Sequence, residues 1–292
     1  MKKLSILILI ISLLFCAGCA QSDAKHNIVA TTLPVYDFTS SLCRGTDLTV
    51  GRLVTESVSC LHDYTLQVSQ MRMIESAEVV VISGAGLEDF LDDALHGSPY
   101  IVDGSVGTHV HSAEHDHEHR DGHGHSHEND PHIWLSPENA KIIAVNIYNG
   151  LSEAYPTCKD IFAQNLEALV QQLDALQVYG DAQLSELDCR ELVTFHDGFA
   201  YFAESFDLSI LEAVEEESGS EASAAEIIHL VELVNNHHLP AVFTEISGSD
   251  ACAGIISTET GVKIFTLDMA MAGNSYLDAM YHNIDTIKEA LG

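Results

Sequence analysis

Hydrophobic positions along the chain switch repeatedly between a two-residue and a 3.6-residue period. Ile28-Val29-Ala30-Thr31-Thr32 reads as a strand, and Pro34 opens an apolar-periodic helix from Val35 to about Leu42. Leu48 to Val54 predicts a second strand, Tyr64 to Ala77 a helix, and Val79 to Ile82 a buried parallel strand. A helix over Leu87 to Leu95 and a strand at Tyr100 to Val102 follow. The last third repeats the alternation. Its strands are expected at Glu191 to Phe195, Leu208 to Val214, Pro240 to Ile246 and Val262 to Leu267, and its helices at Ala222 to Asn236, Asp250 to Glu259 and Asn274 to Leu291. Strands alternating with helices argue for parallel sheets covered on both faces.

Between these halves, Pro137 suits the first turn of a helix, and a longer one is expected from about Asp160 to Leu187. Phe162, Leu166, Leu169, Leu173 and Leu176 step by four, three, four and three, which makes one stripe. Gly180 weakens its later part. Those residues would span roughly 42 Å, long for one lobe and suited to a rigid connector. The fold class expected is therefore α/β: two lobes, each with a mostly parallel four-stranded sheet flanked by helices, joined by one long connector helix. The expected division is 28–156 for the N-terminal lobe, 157–187 for the connector and 188–292 for the C-terminal lobe.

Two segments break the pattern. Met1-Lys2-Lys3 followed by the apolar run Leu4 to Phe15 has the proportions of an export signal and is too short for a comfortable membrane span. Cys16-Ala17-Gly18-Cys19 then resembles a bacterial lipobox, with Cys16 where Leu is usual. This implies a lipoprotein signal peptide over 1–18, lipidation of Cys19, a tether over 19–27, and an extracytoplasmic chain anchored to the bacterial membrane. The second segment, 109–132, holds nine of the 17 histidines, interleaved with acidic residues and almost no apolar ones. It cannot join a packed core and reads as a solvated His-rich loop over 109–131.

Charge narrows the function. The 292 residues carry 12 Lys+Arg against 44 Asp+Glu. That field repels phosphate backbones, which excludes nucleic acid as a partner, and it attracts cations. At 46% hydrophobic content the chain can bury a full core. Beyond Cys19, Cys43, Cys60, Cys158, Cys189 and Cys252 include no C-x-x-C spacing, so a cysteine zinc finger is not expected. Five cannot all pair within one chain, and the sequence does not say which of them pair.

Four isolated polar residues lie past the C-terminal ends of expected strands: His62, His132, His196 and Asp268. Open α/β sheets bind ligands outside the carboxyl ends of their strands, and a closed cleft could bring two residues from each lobe together. Three imidazoles and one carboxylate suit a borderline first-row cation such as Zn²⁺. Spacing by itself does not decide, because a lone histidine is more often a surface or core residue than a ligand.

Taken together, Leu61-His62-Asp63-Tyr64, the run from Asp130-Pro131-His132 through Ile133-Trp134-Leu135-Ser136-Pro137, Phe195-His196-Asp197 and Thr266-Leu267-Asp268 resemble the zinc/manganese solute-binding lipoproteins of bacterial ABC importers, the cluster A-I or class III family. The resemblance covers essentially the mature chain. It implies that His62, His132, His196 and Asp268 are metal ligands, that the cargo passes to an ABC permease in the membrane, and that the protein is a monomer and not an enzyme. Manganese-selective relatives usually have Glu where this chain has His196. Three nitrogens and one oxygen favour Zn(II), with manganese or iron as the alternative cargo. The remaining alternatives are a secreted zinc hydrolase with Asp268 as base, for which no His-Glu-x-x-His run exists, and a surface adhesin or metal buffer. For the His-rich loop, low-affinity Zn²⁺ capture competes with a dispensable insertion. Glu245, at a strand end, is a candidate support for a ligand histidine.

Overall fold

The computed structural model describes residues 25–56, 61, 64–95, 100–111, 129–214 and 223–292. The expected export segment with Cys19, the candidate ligand His62, Cys60 and residues 112–128 of the His-rich stretch lie outside the described residues.

Two four-stranded sheets form, both fully parallel. The first comprises β1 (Ile28–Ala30), β2 (Val50–Arg52), β3 (Val79–Ile82) and β4 (Tyr100–Asp103), in the order β2-β1-β3-β4. The second comprises β5 (Glu191–Thr194), β6 (Ser209–Ala213), β7 (Ala241–Glu245) and β8 (Lys263–Leu267), in the matching order β6-β5-β7-β8. β1 pairs in register with β3, Ile28 facing Val79 and Ala30 facing Val81. In each sheet the first strand sits inside, so the chain crosses once to either side of it. The crevice this leaves at the strand C-termini is where such sheets bind ligands.

The helices are α1 (Leu33–Leu42), α2 (Val68–Ser76), a single turn α3 (Asp92–Leu95), α4 (Pro137–Ala154), α5 (Lys159–Leu184), α6 (Ala200–Ser205), α7 (Ala224–His237), α8 (Ala251–Thr260) and α9 (Tyr276–Leu291). Local chemistry sets several of these ends. Ser136 accepts a hydrogen bond from the Asn139 N–H, with Pro137 behind it, and so caps α4. Ser223 and Glu226 form a capping box on α7. α2 starts later than the sequence pattern suggests: Tyr64 and Gln67 both donate to the Glu56 carboxylate, and Gln67, its N-cap, is extended. The helix expected over 87–95 divides into a 3₁₀ turn at Asp89–Leu91 and α3. α6 was not anticipated; six residues are too few for a helical period to register.

α5 is the connector, roughly 39 Å long at 1.5 Å per residue. Its buried stripe runs Phe162, Leu169, Leu173, Leu176, Gly180 and Leu184, with Leu166 only partly buried. Gly180 is part of the packing and does not interrupt the helix: a Cβ there would lie 2.1 Å from Phe206 Cε1. The stripe belongs to one continuous apolar cluster that also takes in Phe38 of α1, Ile143 and Ile147 of α4, and Met280, Ile284 and Ile287 of α9. Each sheet has a smaller separate cluster on its outer face. The two lobes therefore share a core.

Beyond β1 and β3, the buried Glu88 carboxylate accepts from Thr31 Oγ1 at 2.6 Å, the Ser83 N–H at 2.7 Å and the Gly84 N–H at 2.9 Å. Burial pushes its carboxyl up to about 7. Gly84 and Gly86 have positive φ, a backbone conformation that glycine adopts without a Cβ penalty.

Candidate metal centre

His132 immediately precedes a 3₁₀ turn, Ile133–Leu135, whose three side chains are fully buried. Burying that apolar triplet fixes the backbone and delivers the imidazole to the crevice, where His132 is only 4% exposed. Asp130 then orients the ring. Its Oδ1 accepts from the His132 backbone N–H at 2.9 Å and from Nδ1 at 2.8 Å. With the proton held at Nδ1, the lone pair sits on Nε2 and faces the crevice.

His196 enters from the second sheet, two residues past the end of β5, with its carbonyl accepting from Thr194 Oγ1 at 3.1 Å. Its Nε2 lies 3.3 Å from His132 Nε2, with the rings nearly perpendicular at 88°. Tetrahedral Zn²⁺ with Zn–N of about 2.05 Å separates neighbouring ligand atoms by about 3.3 Å. The two nitrogens thus stand at the edge length of such a site. Behind His196, Glu245 at the end of β7 is buried, with Oε2 3.8 Å from Nδ1. Gly198 makes the approach sterically feasible. A Cβ there would lie 2.8 Å from His196 Cδ2, 3.0 Å from His132 Cγ and 2.5 Å from Met269 Cε.

Asp268 follows β8 directly. Asn283, fully buried on α9, clamps its backbone: the Asp268 N–H donates to Asn283 Oδ1, and Asn283 Nδ2 donates to the Asp268 carbonyl, both at 2.7 Å. Its Oδ1 accepts from the Ala270 N–H at 2.8 Å, and burial raises its carboxyl above the usual range. Asp268 and Glu245 line one narrow recess together with Met269 and Met271. The structure thus joins His132 and His196 directly. Asp268 is set on the adjoining recess and does not converge with the two imidazoles to within 4.8 Å.

The loop carrying Asp268 is tied to the first lobe at several points. Trp134 Nε1 donates to the Met269 carbonyl at 2.8 Å, and Tyr276 Oη donates to the Trp134 carbonyl at 2.7 Å. The Tyr276 N–H donates to Asp37, and Arg52 donates to the Gly273 carbonyl. Trp134, Phe199 and Tyr201 are buried. Tyr201 also uses its hydroxyl, donating to the Asp130 carbonyl at 2.7 Å. Sequence reasoning missed Asp130 and Gly198. Asp130 lay two residues from a candidate ligand, which is the only signal it offered.

The family described as zinc-uptake complex component A, periplasmic (ZnuA), matches residues 28–290. The chain belongs to this family. Among relatives, it is 29% identical over 316 aligned residues to the zinc-binding lipoprotein AdcA of Streptococcus pneumoniae, covering 99% of this chain and 61% of that one. It is 27% identical to a putative metal-binding protein of Treponema pallidum, covering 99% and 97%. The chain therefore spans about three fifths of the streptococcal relatives it matches. In structure it resembles a ZnuA crystal structure with a TM-score of 0.79 at 25% identity, over 92% of this chain and all of the other. The Zn(II)-bound AdcA of S. pneumoniae superposes with a TM-score of 0.75 at 27% identity, over 92% and 58%. The two-lobed α/β fold of this ZnuA-family chain is that of its solved relatives.

Proposed function

We propose that the protein is an extracytoplasmic Zn(II)-binding protein that captures the ion in the crevice between its sheets and delivers it to an ABC importer. The ligands are His62, His132, His196 and Asp268. The observation that carries this reading is the pair of Nε2 atoms 3.3 Å apart, one backed by the Asp130 carboxylate and the other near Glu245. Two imidazoles at a tetrahedral edge with acidic groups behind them suit zinc better than manganese, which prefers more oxygen donors. Four protein ligands fill a tetrahedral site and leave no position for a reacting water, so transport and not hydrolysis is the role. The ZnuA-family description as a component of a zinc-uptake complex supports a permease partner, and the AdcA relative is named a lipoprotein. Anchoring through Cys19 and a monomeric state complete the proposal.

Zn²⁺ titration into the mature chain, with a competing chelator, tests it. One tight site is expected, with His132→Ala, His196→Ala and Asp268→Ala each weakening it and Mn²⁺ binding less tightly. A tight site indifferent to all three substitutions would overturn the assignment. Tight Mn²⁺ with weak Zn²⁺ would overturn the cargo alone.

A further inference from the structure

The stretch from Asp268 to Ser275 joins β8 to α9 without regular secondary structure. Its first half is buried, with Met269, Ala270 and Met271 each 4% exposed or less. Gly273 and Asn274, further on, lie at the surface. Ala270 has a φ of +56°, a left-handed conformation that a residue with a Cβ rarely adopts. Such a turn persists only where its surroundings hold it. From within the core, the Trp134 indole holds the Met269 carbonyl. At the exposed end, Arg52 donates to the Gly273 carbonyl at 2.9 Å, and Asp37 accepts from the Tyr276 N–H at 2.7 Å. Both of these side chains come from the first lobe.

We propose that Arg52, at the end of β2, is a positioning residue for the bound ion: its guanidinium clasps the exposed end of the Asp268 loop to the first lobe and so sets how long zinc stays in the crevice. The proposal rests on the reading of Asp268 as a ligand. Two bonds aim the guanidinium before it crosses between lobes. Nε donates to the Val54 carbonyl at 2.8 Å and Nη2 to the Thr55 carbonyl at 3.3 Å, which fixes the plane of the fork and leaves Nη1 for Gly273. Hydrogen bonds from a charged donor are stronger than neutral ones. Burial raises the Asp37 carboxyl, and the Tyr276 N–H and the Arg52 charge both work against that rise, which keeps Asp37 an acceptor. At the other end of the loop, the Ala270 N–H donates to Asp268 Oδ1 at 2.8 Å. Loss of the clasp lets the Ala270 turn relax, and that N–H then no longer aims the carboxylate. The Asp268 backbone stays fixed by Asn283, so the effect falls on the direction of the carboxylate and not on β8.

Stopped-flow release of Zn²⁺ from the full mature chain into excess chelator tests the clasp, together with amide hydrogen exchange on the metal-free chain. Arg52→Ala is expected to speed release roughly three- to tenfold with little change in the association rate, and to speed exchange over residues 271–275. Arg52→Lys keeps the charge but not the fork, and is expected to behave alike. Arg44→Ala, which removes another cation acting on Asp37, should change neither reading. Release at the wild-type rate from both Arg52 variants would overturn the proposal even if their melting temperatures fall, since a merely structural residue does that much. Faster release with unchanged exchange over 271–275 would overturn it too, as would equal acceleration by Arg44→Ala. The crevice reading fails on a different result, tight Zn²⁺ binding indifferent to His132→Ala and His196→Ala. Exchange over 271–275 then still reports whether Arg52 holds the loop.

Discussion

Asp130 shows how a single carboxylate can fix the geometry of a neighbouring histidine. One oxygen holds both the backbone N–H and Nδ1 of His132, so it sets the tautomer and the ring direction together. Asp130→Asn keeps an acceptor of the same shape and removes the charge. Zn²⁺ affinity is expected to fall by about 10–100-fold, the usual cost of losing a residue that supports a metal ligand, with thermal stability little changed. Competition titration checks this; unchanged affinity would mean that the carboxylate only shapes the loop. Gly198 has a steric role at the same scale, because no larger residue leaves room for two imidazoles and Met269 Cε. Gly198 has no side chain to suggest a role, and Asp130 reads only as part of the run around His132, so neither stands out in the sequence.

The elements follow from hydrophobic periodicity where they are long and from tertiary contacts where they are short. α5 illustrates both. Its stripe was legible from Phe162 onward, yet Gly180 looked like a weak point and is instead a packing notch for Phe206. A Gly→Ala change inside a helix ordinarily gains up to about 1 kcal/mol. Here the added methyl meets a buried ring that itself packs on Phe202, and overpacking costs about 1–3 kcal/mol. Gly180→Ala is therefore expected to lower the denaturant midpoint, whereas a raised midpoint would show that Phe206 moves aside freely. α6 and the 3₁₀ turn at Ile133–Leu135 were below the length at which a period can be read, and both carry parts of the site.

For the whole molecule, the shared core governs how the lobes move and unfold. Helices α1, α4, α5 and α9 form one apolar layer reaching both sheets, so opening by a large rigid-body rotation would expose it. On the proposed function, release of the ion is expected to use the loops around His196 and Asp268 instead. The same core predicts a single cooperative unfolding transition. Trp134 is the sole tryptophan and is fully buried where the lobes meet. Its fluorescence and far-UV circular dichroism should therefore lose native signal at the same denaturant concentration. Two separated transitions would show lobes that fold independently.

By itself the sequence determined the alternation of strands and helices, the parallel sheets, the connector and the kind of chemistry on offer, because periodicity and residue type are properties of a short stretch of chain. It also singled out His62, His132, His196 and Asp268 by their places after strand-like runs. Only the tertiary structure decided that two imidazoles from different lobes meet at 3.3 Å, that Asp130 and Gly198 allow it, and that Arg52 reaches the Gly273 carbonyl 221 residues away. Those relations depend on how elements distant in sequence pack against one another, and a local pattern carries no record of its distant neighbours.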